Sequence, residues 1–142
     1  MTIYVVDTNV IFGAYVESDS RHRQAVEILE KIEPPYNVPV LALAEIAHFL
    51  HERGGANAEL GLLQAILDEE IRPVYFDDQW ELAHHFADKY KDRDLGVTDS
   101  TVLAVAERLF TTCVVSMDQR DLAGVILSNG EPLNLISFSN QF

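Results

Sequence analysis

The 142-residue sequence contains a single cysteine, Cys113, so the chain cannot close an internal disulfide bond. This thiol lies in the apolar run 113–115, where we expect a buried and unreactive side chain. No stretch approaches the roughly 20 apolar residues of a membrane-spanning helix, so we expect no membrane contact. The first residues also lack the basic segment and cleavage site of a secretory signal, and we therefore expect a cytoplasmic protein.

Basic residues are scarce as well: Lys and Arg number 10 against 23 Asp and Glu, which leaves a net charge of −13. A simple nucleic-acid binder carries the opposite sign, because its basic surface neutralises phosphates. Solubility alone explains most of an acidic surface. Acids gathered at one place would instead call for a cation, so their positions along the chain decide between the two interpretations.

Short apolar runs alternate with helical patterns along the chain. The runs predict five strands, at 3–6, 38–41, 73–76, 113–116 and 133–138. The patterns predict helices that follow Asp7, run from Ser20 to Pro34, cover 42–53 and 56–67, and begin at Asp77 and Thr98. Such alternation is typical of an α/β fold whose parallel sheet has helices on both faces. The length suits a single domain over 1–142.

Helix ends and buried faces follow from the same patterns. Ser20, Asp77 and Thr98 are the predicted N-caps, because their short polar side chains can accept a backbone N–H. Trp80 falls on the apolar face of its helix, and Phe110 is expected to point inward from the next one.

Four acidic residues stand where strands end or helices begin. Asp7 directly follows the first strand, and Asp118 follows the fourth strand by two residues. Glu45 and Asp99 lie in the first turns of two predicted helices. Ligands of open parallel sheets bind beyond the carboxyl ends of the strands, so the chain topology can bring these acids to one edge.

Helix capping explains each of these acids separately, because Asp and Glu are favoured at helix N-termini. It explains them less well together, since neighbouring carboxylates repel and raise one another's pKa unless a cation neutralises them. Hard oxygen ligands select Mg²⁺ or Mn²⁺, which also bind phosphate oxygens. Phosphodiester hydrolysis is the chemistry that such an ion would support, by activating water and offsetting charge on the leaving oxygen.

Segments around all four acids resemble the motifs of the PIN-domain ribonucleases, and within them the VapC-type toxins of bacterial toxin-antitoxin pairs. The segments are 5–10 (VVDTNV), 40–46 (VLALAEI), 90–100 (YKDRDLGVTDS) with 104–107 (AVAE), and 114–122 (VVSMDQRDL). They follow the family's order over most of the chain. Two positions depart from the family pattern: Leu122 stands where an aromatic is common, and Gly96 stands where an acid is frequent.

The resemblance implies an α/β/α sandwich that cleaves RNA endonucleolytically with Mg²⁺ or Mn²⁺ held by Asp7, Glu45 and Asp99. Asp118 would assist, directly or through water. Thr8 and Asn9 would support the site by hydrogen bonds, although capping of the first helix explains them equally well. The resemblance further implies a homodimer and a small VapB-like antitoxin, which would cover the acidic pocket with an Arg or a hydrophobic segment.

Other functions fit less well. A phosphatase of the haloacid dehalogenase type needs a second Asp where this chain has Asn9, and a receiver-like domain needs an acidic pair and a late Lys that are not found. Two alternatives within the same fold stay open: an RNA-processing PIN nuclease without an antitoxin, and a PIN-like binding module with an inactive site.

Several other polar groups have simpler explanations. The pairs His48 with His51 and His84 with His85 lack the i, i+4 spacing of a helical zinc motif, which favours solvated or packing roles. The basic groups 21–23 and 89–93 could contact an RNA backbone, but acids interleave with the second and favour a self-neutralised surface. Asp121 fits either a second acid of the last motif or the start of a surface helix.

Overall fold

A five-stranded parallel sheet forms the centre of the protein, whose computed structural model describes residues 2–118 and 120–137. Its strands are Tyr4–Val6 (β1), Tyr36–Pro39 (β2), Ile71–Val74 (β3), Cys113–Val115 (β4) and Asn134–Ile136 (β5). They lie in the order β3-β2-β1-β4-β5, and every neighbouring pair is parallel. The chain winds in one direction from β1 to β3 and in the other through β4 and β5. A crevice therefore forms between the carboxyl ends of β1 and β4.

Helices connect most of these strands. They are Thr8–Tyr15 (α1), His22–Lys31 (α2), Val40–Phe49 (α3), Gly55–Leu67 (α4), Gln79–Lys89 (α5) and Val97–Arg108 (α6). The helix predicted at 42–53 instead begins at residue 40. It ends at residue 49, because a π-helical turn at Leu50–Gly54 follows α3. Gly55 then adopts a positive φ of 78°, a conformation that glycine takes without steric cost.

The sheet has a hydrophobic core on each face, as the alternation of side chains along a strand requires. Val6 of β1 belongs to the core beneath α1 to α4, together with Ile11, Ile28, Ile46 and Leu62. Val5 belongs to the core beneath α5 and α6, together with Phe86, Leu103 and Val114. These two cores give three layers, helix, sheet and helix, and the predicted α/β/α sandwich is confirmed.

Two strands begin earlier than their apolar runs predicted. β2 occupies 36–39 rather than 38–41, because Tyr36 and Asn37 pair with β1 and α3 already begins at residue 40. The side-chain amide of Asn37 is buried and donates to the carbonyl of Tyr4 at 3.0 Å. β3 occupies 71–74 rather than 73–76, since all four of its residues pair with β2. The predicted last strand is β5, and its predicted end at Phe138 lies outside the described residues.

The predicted N-caps Ser20, Asp77 and Thr98 are wrong. The residues at that position of α2, α5 and α6 are Arg21, Asp78 and Gly96, and none caps through its side chain. Tertiary contacts explain two of these differences. Asp78 forms an ion pair with Arg108 of α6, and the hydroxyl of Thr98 donates to another side chain rather than receiving a backbone N–H.

Three predicted burials are also wrong. Trp80 is 47% exposed, because the buried face of α5 carries Gln79, Ala83 and Phe86 instead. Phe110 is 89% exposed and follows the end of α6 with a positive φ of 56°, where the chain turns away from the helix. Cys113 is only partly buried. Within the described residues, no helix combines the length and apolarity that crossing a bilayer requires.

Candidate active site

Asp7 stands at the junction of β1 and α1, and only 4% of the residue is exposed. It caps α1, since Oδ1 accepts the backbone N–H of Thr8 at 2.8 Å. Oδ2 accepts the hydroxyl of Ser116, the residue that directly follows β4, at 3.0 Å. Capping therefore accounts for only one of the two carboxylate oxygens.

A cleft of about 340 Å³ opens beside this junction. It is lined by all four acids singled out from the sequence: Asp7, Glu45, Asp99 and Asp118. Glu45 enters from α3 and Asp99 from the first turn of α6, and both are half-buried. Asp118 comes from the loop after β4 and is exposed. The fold thus brings the four side chains to one place, and their roles in catalysis stay a prediction.

Electrostatics in the cleft disfavour the charged form of two of these acids. Burial, reinforced by the nearby Asp99 and more weakly by Glu45, raises the pKa of Asp7 to about 6. The hydrogen bonds from Thr8 and Ser116 oppose this rise without cancelling it. Burial likewise raises the pKa of Asp99, a hydrogen bond with the Gly96 backbone opposes the rise, and the other acids nearby add to it. A cation in the cleft would relieve this repulsion.

Ser116 holds the two sides of the crevice together and was missed in the sequence. Its hydroxyl group donates to Asp7. The same oxygen accepts the backbone N–H of Asp118 at 3.1 Å and the side-chain N–H of Asn9 at 3.3 Å. Asn9 in turn accepts the backbone N–H of Met117 at 3.1 Å. A sequence signal was present, because Val114-Val115-Ser116 repeats the Val5-Val6-Asp7 pattern of the neighbouring strand. The register of β1 with β4 then sets Ser116 beside Asp7.

Thr98, which was predicted to be an N-cap, is instead part of the site. Its hydroxyl donates to Oε2 of Glu45 at 3.2 Å and so links α6 to α3 across the cleft. Thr8, by contrast, contributes its backbone N–H to Asp7, while its own buried hydroxyl has no hydrogen-bond partner within the described residues. The hydrogen-bond support expected from Asn9 is therefore seen, and that from Thr8 comes from the backbone alone.

Besides the acids, the wall of the cleft is also basic and aromatic. It is lined by Arg21, Arg53, Phe12 and Phe49, with Asp19 beside them. The basic group 21–23 was expected from the sequence as a possible RNA contact, whereas Arg53, which follows α3 in the π-helical turn, was not. The local sequence pattern does not distinguish Arg53 from a surface arginine, because its place in the cleft depends on the π-helical turn and on its contact with Phe12 of α1.

The other basic group, 89–93, lies away from the cleft and supports the loop that carries Asp118. Arg93 stacks over the ring of Tyr90 at 4.9 Å and donates to the backbone carbonyls of Asp121 and Ala123. The hydroxyl of Tyr90 accepts the backbone N–H of Ile126 at 2.8 Å. Arg93 therefore has a structural role. The described chain has turns rather than a helix at 120–124, so Asp121 does not begin a surface helix.

A divalent cation is the ligand that the donor set of the cleft fits. In residues 2–118 and 120–137, no three His, Cys, Asp or Glu side chains lie close enough together to enclose an ion by themselves. Mg²⁺ does not require such a cage, because it keeps several waters and binds through one or two carboxylates. Asp7 and Asp99, whose pKa values are raised, are the side chains that gain most from a nearby positive charge.

Similarity to known proteins points to the same fold. Ribonuclease VapC26 of Mycobacterium tuberculosis is 21% identical over 131 residues, which cover 85% of this chain and 90% of that protein. The structure is similar to that of Mycobacterium tuberculosis VapC20, a sarcin-ricin loop cleaving toxin, with a TM-score of 0.70 and 21% identity over 78% of this chain and 86% of that chain. A chain of a Klebsiella pneumoniae toxin-antitoxin complex matches with a TM-score of 0.70 and 18% identity over 99% of this chain and all of that one.

A further structural match is VapBC2 of Rickettsia felis, solved with a DNA fragment from the promoter, with a TM-score of 0.64 and 16% identity over 95% of this chain and 98% of that chain. The resemblance to PIN domains and to VapC-type proteins among them is thereby confirmed. The family model of the PIN domain matches residues 4–125, most of the chain. The chain belongs to the PIN-domain family.

Proposed function

We propose that this chain is an endoribonuclease that hydrolyses RNA phosphodiester bonds with Mg²⁺ or Mn²⁺, and that it is the toxin of a toxin-antitoxin pair. The observation that carries the proposal is the cleft, where four acids from separate parts of the chain meet and the pKa of buried Asp7 is raised to about 6. Helix capping alone would not collect Glu45 and Asp118 there. PIN-family membership and the names of the similar proteins support the choice of RNA.

In this proposal, Asp7, Glu45 and Asp99 hold the cation, directly or through the waters that Mg²⁺ keeps, and the exposed Asp118 assists at the edge of the cleft. When bound, the ion supplies a Lewis acid that activates water and offsets charge on the leaving oxygen. The protein's own contribution is orientation. Ser116 and the Thr8 N–H fix the two oxygens of Asp7, and Thr98 fixes Glu45. The raised pKa of Asp7 leaves part of this group protonated near neutral pH in the metal-free protein, so binding of the cation there would release protons.

The assembly is part of the same proposal. Three structurally similar chains come from solved structures that support it. One is named as a toxin-antitoxin complex, the second as VapBC2 and the third as FitAcB of Neisseria gonorrhoeae. We infer that a small VapB-like protein covers the acidic cleft, either with an Arg that would take the place of the cation or with a hydrophobic segment. We also propose that residues 1–142 form one PIN-like domain and that the chain is a homodimer.

Cleavage assays test the enzymatic part. Purified protein should cut structured RNA in Mg²⁺ or Mn²⁺ and stop in EDTA, whereas undiminished cleavage in EDTA would contradict the metal mechanism. Expression should arrest growth, and a small protein encoded next to the chain should relieve the arrest. Arrest that no neighbouring protein relieves would favour an RNA-processing PIN nuclease, and no cleavage with either metal would favour an inactive binding module.

A further inference from the structure

The wall of the cleft also has side chains that the proposed acid chemistry does not use. Phe49, the last residue of α3, is 37% exposed and lies edge-on to Phe12, with ring centroids 5.6 Å apart. The guanidinium carbon of Arg53 lies 5.2 Å from the centre of the Phe12 ring. These three side chains line the same cleft as the acids. An exposed aromatic ring and a guanidinium thus stand together beside the proposed metal site.

Arg53 is held in this place by the chain around it but keeps donors free for a ligand. It belongs to the π-helical turn, whose first residue, Leu50, is fully buried and anchors the turn in the core. Turns of this kind occur frequently at functional sites. The guanidinium lies 3.9 Å from Oδ1 of Asp19, and the side chain remains 53% exposed. A guanidinium has five N–H donors, so the long contact with Asp19 and the stacking on Phe12 leave most of them available.

Arginines in the cleft would offset the negative charge that an approaching RNA meets. Phosphates approaching the acid cluster meet negative charge, and the chain as a whole carries −13. Arg21 and Arg53 are the basic side chains that line this cleft within the described residues. Proteins bind single-stranded nucleic acid by combining cations for the backbone with aromatic side chains on which bases stack. The wall of the cleft beside the acids has both.

We propose that Phe49 and Arg53 form a subsite for the nucleotide next to the cleaved phosphodiester, with the base stacked on Phe49 and the phosphate bound by Arg53. This inference rests on the proposed RNA cleavage for its substrate class. Phe12 and Asp19 are positioning residues, because Phe12 supports the Phe49 ring and Asp19 holds the guanidinium. The subsite takes a single-stranded segment, since a base inside a duplex cannot offer its face to an aromatic ring.

Binding of fluorescent 2′-O-methyl oligonucleotides in Mn²⁺ tests the subsite without relying on cleavage, with intact recovery checked on a gel. A random-sequence 12-mer and the four homopolymers serve as ligands. Phe49→Leu should raise Kd about fivefold or more, because a stacked base is lost, and Phe49→Trp should restore binding. Arg53→Gln should also weaken binding and should lower the slope of log Kd against log salt by about 0.7, the value for one phosphate contact on a single strand. Phe49→Leu should leave that slope unchanged.

Matched controls lie outside the lining of the cleft. Phe110→Leu removes an aromatic ring that is 89% exposed, and Arg72→Gln removes an exposed cation on β3, so neither should change Kd. Melting curves exclude unfolding, and titration with Mn²⁺ alone should give wild-type affinity for Phe49→Leu, because a phenyl ring offers a divalent cation no oxygen ligand. In cleavage assays the same variant should raise KM more than it lowers kcat.

The outcomes separate this inference from the proposed function. Wild-type cleavage together with unchanged Kd, salt slope and KM in both cleft variants would overturn the subsite and leave the nuclease standing. Loss of antitoxin binding with unchanged RNA binding would also overturn it and would make the wall a protein-docking surface. Binding that depends on Phe49 in a protein that never cleaves RNA would support the subsite and contradict the nuclease. A wild-type protein that binds none of the oligonucleotides would overturn the subsite, whereas the nuclease is tested by the cleavage of structured RNA.

Discussion

Replacing Asp7 with Asn should stabilise the metal-free protein in a way that depends on pH. Burial raises the pKa of Asp7 to about 6 in the folded state, against 3.8 for the ordinary group. The folded protein therefore holds this proton more tightly than the unfolded chain does. Stability is lost as pH rises from about 4 through 6, and the loss is complete above the folded pKa.

The size of the effect follows from that shift. With about 1.36 kcal/mol per pKa unit, the charged carboxylate costs about 3 kcal/mol at pH 8 but only about 0.5 kcal/mol at pH 4. Asn keeps an oxygen for the Thr8 N–H but loses the acceptor for the Ser116 hydroxyl, at a cost of about 1 kcal/mol at either pH. We expect Asp7→Asn to gain about 2 kcal/mol at pH 8 and to lose slightly at pH 4.

Thermal unfolding in EDTA at pH 4, 6 and 8 measures this difference. A gain of about 2 kcal/mol corresponds to a rise in Tm of roughly 6–8 °C for a chain of this length. Asp77→Asn is the matched control, because Asp77 is exposed and its replacement should shift Tm by little at any pH. An Asp7→Asn variant that loses the same stability at pH 4 and pH 8 would refute the reasoning and would make Asp7 a helix cap.

Other variants test the hydrogen bonds and the graded role of the acids. Ser116→Ala removes a donor to Asp7 and should shift the acid limb of the pH–cleavage profile to higher pH. The profile is measured in Mn²⁺ from pH 5 to 9. Thr98→Val should lower the cleavage rate about tenfold, since the hydrogen bond that positions Glu45 is lost, while Thr98→Ser should keep the wild-type rate. Equal rates in the two variants would contradict a positioning role of Thr98. Asp118→Asn should keep weak activity that added Mn²⁺ partly restores, because Asp118 is exposed at the edge of the cleft; complete loss at every Mn²⁺ concentration would make it an essential ligand.

The acids could be found from the sequence because each follows a feature that is local in the chain. Asp7 comes directly after an apolar run, and Asp118 comes two residues after another. Parallel strands share one carboxyl edge, so their ends were expected to meet. The α/β class was predictable for the same reason, since alternating strands and helices leave few ways to cover both faces of a sheet.

The partners of the acids could not be found in this way, because long-range contacts select them. Thr98 has the sequence signature of an N-cap, yet its hydroxyl reaches Glu45, 53 residues earlier. Arg53 enters the cleft only because a π-helical turn follows α3, and a continuous helix was predicted there. The start of β2 was missed because the polar Asn37 is buried by a hydrogen bond to β1 that composition does not reveal.

The most direct test of the acid cluster as an active site compares Glu45→Gln and Asp99→Asn with the wild-type protein. The measurement is the cleavage rate of a structured RNA in Mn²⁺ beside the melting temperature in EDTA. Loss of an outer partner of a metal site typically lowers activity about 10- to 100-fold, so loss of a direct ligand should exceed about 100-fold. The account predicts that both variants lose cleavage to this extent while their melting temperatures hold or rise. Two variants that melt at lower temperature yet cleave at nearly the wild-type rate would contradict it.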